Sequence, residues 1–146
     1  YTNLFGLETV LFRFFNVYGD RQPLSGDYAP VVGLFFRQKS EGEPMTVVGD
    51  GLQTRDYTHV KDIVEAMFLA GESNNKGIVG ELFNLGTGTN HSVLDLVKLT
   101  KGKHTHIDAR PGESRETLAD NTKAKKMLNW NPSRKLEEWI EKNRPQ

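Results

Sequence analysis

The sequence predicts an α/β protein in which short parallel strands alternate with amphipathic helices. Residues 9–15 form a nearly continuous apolar run, broken only by Arg13, that ends at Asn16 and a Gly-Asp turn. Such a run is typical of a strand that is buried on both faces of a parallel sheet. Further along, short apolar strands are each followed by a stretch with apolar residues at helical spacing, which is the order expected of an α/β fold.

The first half of the chain contains a helix end, two strands and two full helices by this reading. In chain order they are a helix end over 1–6, a strand over 8–15, a helix from 28 to about 42, a strand over 45–48 and a helix from 60 to about 71. Gly6 is placed to cap the first helix, and Pro44 prevents the second from resuming. The second helix is predicted to begin at Tyr28, because apolar residues recur from there at i+3, i+4, i+7 and i+8. Residues 52–60 are polar and predict an irregular link.

The second half repeats the pattern with shorter elements. The predicted elements are a strand over 81–85, a turn over 86–90, a helix from 93, an edge strand over 105–109, a rigid turn over 110–113, a helix ending before 130 and a last helix through 136–140. Ser92 with Asp95 resembles a capping box, which fixes the start of the helix at 93. Thr122 or Asp120 is the expected cap of the helix that ends before Trp130.

Composition excludes several classes of function. The 146 residues include nineteen basic and nineteen acidic side chains, so the formal net charge is zero and neither a nucleic-acid nor a membrane-surface partner is indicated. There is no cysteine, which excludes disulfides and thiolate metal sites. No apolar run approaches the roughly 20 residues that span a bilayer, and the N-terminus is not a signal peptide. A soluble, cytoplasmic protein is expected.

The four histidines do not predict a catalytic or metal site. His104 and His106 share a strand face without a third ligand at suitable spacing, so exposed edge-strand histidines are the favoured interpretation. His59, at a loop–helix junction, is expected to pack or cap, and His91 to lie in a turn. The sequence has no Ser-His-Asp arrangement, no HExxH and no complete glycine-rich phosphate loop, because the GTG at 86–88 is too short.

The polar residues that remain indicate an anion-binding site. Arg55 lies in a polar stretch, and Arg110 begins the segment RPGE, in which Pro111 stiffens the backbone and Glu113 is placed to orient the guanidinium. Arginine is the side chain suited to two-pronged recognition of phosphate oxygens. Asn16, a donor and an acceptor, follows the first strand, and ligands of open α/β sheets bind outside the carboxyl ends of such strands.

Five motifs, in the expected order, give the chain a family resemblance over nearly its whole length. They are RFFNVYGDRQ at 13–22, VVGDGLQTRDYTHVKDIVEA at 47–66, FNLGTG at 83–88, RPGE at 110–113 and LADNTKAKKMLNWNP at 118–132. Together they resemble the C-terminal part of the extended short-chain dehydrogenase/reductase family. More narrowly, they are similar to its NAD-dependent nucleotide-sugar epimerases and dehydratases.

The resemblance implies the C-terminal part of an NAD-binding Rossmann fold, namely its last parallel strands, together with a small α/β substrate-binding domain. Residues 1–20 and about 58–90 then belong to the Rossmann sheet and its helices, and about 21–57 and 91–146 to the substrate-binding part. The implied cofactor is NAD, the implied substrate is a nucleotide-sugar such as a UDP-sugar, and the full-length protein is a possible homodimer. Because residue 1 is tyrosine and the chain opens straight into a strand, we expect it to be part of a longer protein.

The resemblance also assigns roles residue by residue. Asn16 matches the residue that meets the sugar diphosphate, and Arg55 and Arg110 match the arginines that hold phosphate and ribose. The other matches are Phe14 and Val17 for the nicotinamide, Thr46 and Val48 for the nucleotide base, and Glu113 for the ribose. The physical chemistry agrees, since two guanidinium groups can neutralise a doubly charged diphosphate.

The family's glycine-rich NAD loop and its catalytic Tyr-xxx-Lys pair belong upstream of Tyr1. Tyr1 is not that tyrosine, because four residues later stands Phe5 and not lysine. No catalytic residue is therefore assigned within the chain, and the chain alone is predicted to be inactive.

Three functions stay open at this stage. The first is the nucleotide-sugar-binding part of a UDP-sugar 4-epimerase, which the single asparagine before Val17 favours over a 4,6-dehydratase or decarboxylase of the same family. The second is a non-catalytic module that binds nucleotide-sugars. The third is a structural fragment that binds nothing.

Overall fold

A computed structural model describes residues 1–26 and 28–146 of the chain. The helices are α1 (Thr2–Phe5), α2 (Val31–Ser40), α3 (Val60–Gly71), α4 (Val93–Thr100), α5 (Thr122–Leu128) and α6 (Leu136–Asn143). The strands are β1 (Leu11–Phe14), β2 (Val17–Tyr18), β3 (Met45–Val48), β4 (Thr54–Asp56), β5 (Thr58–His59), β6 (Leu82–Leu85), β7 (Asn90–Ser92) and β8 (His104–Ile107). Within these ranges, no helix has the length and apolar character that crossing a membrane requires.

Strand pairing confirms the predicted parallel α/β character. Strands β1 and β6 pair in parallel, as do β2 with β5 and β3 with β8, whereas β4 and β7 are antiparallel. In the first pair Leu11 lies opposite Leu82 and Phe14 opposite Leu85. Parallel strands need a crossover between them, and α3 lies on the one that links β1 to β6.

Two apolar clusters form the core. The first joins α2, β3, α4 and α6, and its fully buried side chains are Tyr18, Val32, Phe35, Met45, Val47, Leu96 and Ile140. The second joins α3, β6 and α5, and its fully buried side chains are Ala66, Phe83, Leu85, Ala124 and Trp130. The indole nitrogen of Trp130 donates a hydrogen bond to the carbonyl of Asp62 (2.8 Å), which fixes the segment after α5 to the start of α3.

The first strand is shorter and more exposed than predicted. Strand β1 covers four residues, and Leu11 and Phe14 expose about half of their surface (50% and 49%). Only the side that carries Phe12 packs against the core, where its ring lies 6.3 Å from that of Phe83. The prediction of burial on both faces is wrong because none of the described residues covers the face that carries Leu11 and Arg13, both of which are exposed.

Helix α2 begins three residues later than predicted. It starts at Val31 with Pro30 in an extended conformation before it, while Tyr28 is 97% exposed. The ring of a proline disfavours the helical conformation in the residue before it, so the helix cannot extend back through Ala29. The apolar spacing from Tyr28 therefore overestimated the length of α2 at its N-terminal end.

The polar link predicted over residues 52–60 contains two strands. Strand β4 pairs with residues 90–92, which also places His91 in a strand and not in a turn. Strand β5 pairs with β2. Polar residues form strands here because the segment is largely buried, and a buried backbone must pair its N–H and C=O groups.

Other local predictions hold with small shifts. The capping box of Ser92 and Asp95 is confirmed at the start of α4. Strand β8 begins one residue early, and the exposure predicted for His104 and His106 is confirmed. Asn121 takes the cap position of α5, although the Asp120 carboxylate accepts a hydrogen bond from the N–H of Thr122 (3.0 Å).

His59 packs and caps, as predicted. Its Nδ1 accepts a hydrogen bond from the N–H of Lys61 (3.1 Å) at the start of α3, and its ring lies 5.2 Å from that of Tyr18. Burial lowers the pKa of His59 below its ordinary value of 6.5, although Asp62 opposes this shift. The neutral imidazole is the form that the fold stabilises.

We expect this histidine to make the fold sensitive to mild acid. Because the pKa of His59 is lower in the folded state, its contribution to stability is complete above pH 6.5 and is lost as the pH falls below that value. The melting temperature measured by circular dichroism should therefore fall between pH 7 and pH 5. His59→Asn keeps a capping side chain and should flatten that slope, while His104→Asn, an exposed control, should leave it unchanged. An unaltered slope in the His59 variant would contradict the assignment.

Candidate functional site

A cleft of about 650 Å³ opens between α2, β3 and β4. Six of the eight residues that the sequence proposes for ligand binding line it: Asn16, Thr46, Val48, Arg55, Arg110 and Glu113. They come from four separate parts of the chain. Gly33 allows the loop after β2 to lie against α2 beside the cleft, since a Cβ atom there would be 2.4 Å from the carbonyl oxygen of Pro23.

Strand β4 and the residue after it place Arg55 and Tyr57 on the cleft side and Asp56 on the opposite side. This follows from strand geometry, in which successive side chains point to opposite faces. The Tyr57 ring is 4% exposed, and its hydroxyl has no hydrogen-bond partner in the described residues. Burial raises the pKa of Tyr57 well above its usual value, so its phenol stays protonated at neutral pH.

Asp56 holds the GTG turn against β4. Its fully buried carboxylate accepts hydrogen bonds from the N–H and hydroxyl of Thr87 (both 2.8 Å), the N–H of Gly88 (2.9 Å) and the N–H of Ala119 (3.2 Å). Gly86 completes this contact, because a Cβ atom there would be 2.3 Å from the Cβ of Ala119. The GTG turn at 86–88, which is too short to bind a nucleotide, thus supports β4, the strand that carries Arg55.

Glu113 pairs with Arg55 and not with Arg110. An Nη atom of Arg55 lies 3.1 Å from the Glu113 carboxylate, and the other Nη donates to the carbonyl of Thr54 (2.8 Å). The prediction that Glu113 orients Arg110 is therefore wrong. The backbone explains why: the turn over 110–113 closes by a bond from the N–H of Glu113 to the carbonyl of Arg110 (3.3 Å) and leaves the two side chains to separate partners.

The segment that carries Arg110 is fixed beside β3 and β4. Arg115 donates to both carboxylate oxygens of Asp50 (2.8 and 2.7 Å), and its side-chain hydrogen bond lowers the pKa of Asp50 to about 2. The N–H of Thr54 bonds to the carbonyl of Arg115 (3.0 Å). The guanidinium of Arg110 is exposed and makes no ion pair or hydrogen bond with the residues that the structure describes.

Within the part of the chain that the structure describes, no strand pairs with the edge of β3 that faces the cleft. Met45 and Gly49 donate their N–H groups to β8, so ladder alternation directs the backbone groups of Thr46 and Val48 to the other edge. There the N–H of Thr46 bonds to the side-chain oxygen of Gln38 (3.1 Å). The carbonyl of Thr46 and the N–H of Val48 remain as an adjacent acceptor and donor.

The two residues proposed for the cofactor lie outside this cleft. Val17 lines an adjoining pocket of about 610 Å³ that shares Asn16 and Tyr57 with the cleft. Phe14 is half-exposed at the carboxyl end of β1 and stacks on Phe12 with 6.5 Å between ring centroids. The sequence-based site is thus one cleft and a neighbouring pocket that meet at Asn16 and Tyr57.

Three cleft residues with polar groups were not found from the sequence, namely Arg37, Gln53 and Tyr57. Tyr57 follows Arg55 at an interval of two, which is a strand signal that was obscured by the interpretation of residues 52–60 as irregular. Gln53 is buried and donates to the carbonyl of Val48 (3.0 Å). Arg37 stands three residues after Leu34 on the cleft side of α2, whose spacing was assigned entirely to the core.

Comparison with known proteins shows which family the chain belongs to. Over residues 1–143 the sequence matches the family described as GDP-mannose 4,6 dehydratase. The chain belongs to this family. The predicted resemblance to the nucleotide-sugar epimerases and dehydratases is thereby confirmed.

Relatives in the family have related activities. A UDP-glucose 4-epimerase of Mycolicibacterium smegmatis is 36% identical over 148 residues, which are 97% of this chain and 46% of the relative. UDP-glucuronic acid decarboxylase 1 of Arabidopsis thaliana is 35% identical, over 92% of this chain and 31% of the relative. The chain thus spans less than half of the length of these curated relatives.

A solved structure of the family shares the fold. The UDP-glucuronic acid 4-epimerase of Bacillus cereus, crystallised with UDP-glucuronic acid and NAD, superposes with a TM-score of 0.85 at 32% identity. The match covers 96% of this chain and 45% of that one. The predicted fold class, the later part of a Rossmann-type α/β protein, is confirmed.

Proposed function

We propose that this chain is the nucleotide-sugar-binding part of an NAD-dependent UDP-sugar 4-epimerase. The observation that carries the proposal is the convergence of Arg55 and Arg110 with the free edge of β3 and with Asn16 in one cleft. The proposed division gives residues 1–20 and about 58–90 to the Rossmann part, and about 21–57 and 91–146 to the substrate-binding part. The parent protein is proposed to be an enzyme and a possible homodimer.

The two arginines are proposed to hold the diphosphate. The guanidinium of Arg55 is fixed by Glu113 and by a backbone carbonyl, so its remaining donors point in a defined direction. Arg110 has no competing partner among the described residues and is free to move onto the second phosphate. Ion-paired hydrogen bonds of this kind are about twice as strong as neutral ones. Glu113, an acceptor, is proposed to meet a ribose hydroxyl.

The free edge of β3 is proposed to read the base. The carbonyl of Thr46 accepts and the N–H of Val48 donates, and uracil presents N3–H beside a carbonyl, so the two edges are complementary. Gln38 keeps Thr46 in place, because its amide both accepts from the N–H of Thr46 and donates to the hydroxyl (3.0 Å).

The pocket beyond Asn16 is proposed to hold the sugar and one side of the nicotinamide. Phe14, half-exposed at the end of β1, and Val17, which lines the pocket from β2, offer apolar surface that fits a ring face. NAD, when bound, supplies a hydride acceptor for the sugar C4 and returns the hydride to the opposite face. Asn16 donates and accepts at the junction of cleft and pocket, where it can position the sugar relative to that ring.

The chain alone is proposed to be inactive. Oxidation at C4 requires a group that removes the hydroxyl proton, which in the resemblance is a tyrosinate. Tyr57 does not meet this need, since burial raises its pKa and keeps the phenol protonated. Epimerase turnover by the 146-residue chain, measured as interconversion of UDP-glucose and UDP-galactose, would overturn this statement.

Calorimetric titration with UDP tests the binding function. We expect wild-type chain to bind UDP, and Arg110→Ala and Arg55→Ala each to weaken binding about ten- to a hundred-fold, the loss of one charge-assisted contact. Uridine, which lacks phosphate, should be affected by neither substitution. Arg13→Ala, which removes an exposed arginine outside the cleft, is the matched control and should bind as wild type.

The same titration separates the two binding interpretations of the chain from the structural fragment. UDP binding with the arginine dependence above supports the epimerase part or the non-catalytic module, which differ in whether a catalytic half accompanies the chain. No heat with any nucleotide supports the structural fragment. A decarboxylase of the same family is the second candidate because the Arabidopsis relative is 35% identical. A preference for UDP-glucose over UDP-glucuronic acid in a competition experiment would argue against the decarboxylase.

A further inference from the structure

Arg37 is a third arginine in the cleft. It follows Val31 and Leu34 at intervals of three on the cleft side of α2. Its Nε is buried and has no hydrogen-bond partner in the described residues. The carboxylate of Glu41, one turn later, lies 3.8 Å from that Nε, which is too far for a hydrogen bond.

Arg37 lines the same cleft as Thr46 and Val48, whose backbone groups are proposed above to meet the base. The next residue, Gln38, is bonded to Thr46 through both ends of its amide (3.1 and 3.0 Å), which holds this part of α2 beside β3. Arg110 also lines a smaller pocket with Val48 and Gly49, which Arg37 does not line.

We infer that Arg37 is a specificity-determining residue that donates a hydrogen bond to a carbonyl oxygen of the nucleobase. The inference rests on the proposed function. Uracil has a carbonyl on each side of N3–H, and the pair formed by Thr46 and Val48 serves N3–H and one of them. The second carbonyl needs a donor, and arginine is a donor only. Adenine has no carbonyl and offers only ring nitrogens as acceptors, in a different arrangement, so Arg37 should favour uracil over adenine.

The simpler interpretation is that Arg37 and Glu41 form a surface ion pair on α2. Exposed pairs at this interval contribute little, about 0.3–0.5 kcal/mol. That pair also leaves the buried Nε without a hydrogen bond, and unpaired buried donors are uncommon in native proteins. The rest of the guanidinium is better placed for a ligand, because the side chain is 35% exposed and lines the cleft. Its Nη atoms donate no hydrogen bond to the residues that the structure describes, so a base carbonyl can accept from them, which the ion pair does not require.

Titration of wild-type and variant chains with UDP, ADP and inorganic pyrophosphate tests the inference. We expect Arg37→Ala to weaken UDP binding about ten- to a hundred-fold, the range for one hydrogen bond to a charged group. Pyrophosphate binding should be unchanged, and the preference for UDP over ADP should fall. Arg110→Ala should weaken UDP and pyrophosphate together. Glu41→Ala, which removes only the ion-pair partner, should leave the preference for UDP intact, and Arg13→Ala should resemble wild type.

Each other result decides against the inference. Equal weakening of UDP and pyrophosphate by Arg37→Ala makes Arg37 a phosphate ligand, and no weakening makes it a surface ion pair. If UDP binding depends on Arg110 but not on Arg37, the inference fails and the proposed function stands. If wild-type chain binds no nucleotide, both fail. Unchanged circular dichroism spectra establish that each variant is folded.

Discussion

Replacing Asp56 by asparagine is expected to lower the free energy of unfolding by about 3–5 kcal/mol. The four donors around this carboxylate are three backbone N–H groups and the hydroxyl of Thr87. An amide has the same shape but only one acceptor oxygen. Its NH₂ group would face backbone N–H groups, so two donors would lose their acceptor inside the core.

Urea unfolding followed by circular dichroism measures this effect. Asp108→Asn is the matched control, because Asp108 is exposed and its substitution should change stability by less than about 0.5 kcal/mol. A loss below about 1 kcal/mol in the Asp56 variant would mean that the GTG turn does not depend on this carboxylate. A large loss would show that the Asp56 carboxylate holds the GTG turn against β4.

Replacing Trp130 by alanine is expected to cost about 3–5 kcal/mol, the usual range for removing a fully buried large aromatic side chain. Trp130 has no exposed surface and lies in the cluster formed by α3, β6 and α5. Its substitution also leaves the carbonyl of Asp62 without the indole N–H, at the residue whose side chain pairs with Arg134. The substitution therefore removes both the packing of the indole ring and the hydrogen bond that fixes the segment after α5 to α3.

Comparison with Phe68→Ala isolates the effect of burial. Phe68 is also a large aromatic residue, on α3, but 64% of its surface is exposed, so its removal should change the urea midpoint only slightly. Trp130→Phe keeps most of the volume and tests the hydrogen bond alone. Similar midpoints for the two alanine variants would contradict the core position of Trp130.

Local signals in the sequence were sufficient for elements with strong internal patterns. The capping box at 92–95, the strand over 45–48 and the helix from 60 are found as predicted, because a cap, an apolar alternation or a helical repeat is contained within a few residues. The burial of residues 52–60 was not visible in this way. Their polar side chains form buried hydrogen bonds with distant residues such as Thr87 and Ala119, and no local pattern records those partners.

For the site, too, local residue types could be predicted from the sequence, but contacts between distant residues could not. The residue types for binding an anion could be read from the sequence, since arginine and asparagine offer that chemistry wherever they stand. The pairing of Glu113 with Arg55, across 58 residues, could not, because it depends on how the segment after Arg110 is held against β4. Arg37 was not singled out, because it lies within the apolar repeat that predicts α2. Only the fold shows which side of that helix lines the cleft.

The first strand illustrates both parts. By itself the sequence determined that residues near 11–14 form a parallel strand ending at Asn16, because β-branched and aromatic residues in a run favour an extended chain. Only the tertiary structure decided which face is covered, that Phe12 turns inward while Leu11 and Phe14 stay exposed, and that Asn16 meets Arg55 and Arg110 in one cleft. The physical reason is that conformational preference is local, whereas burial and the meeting of side chains depend on neighbours far along the chain.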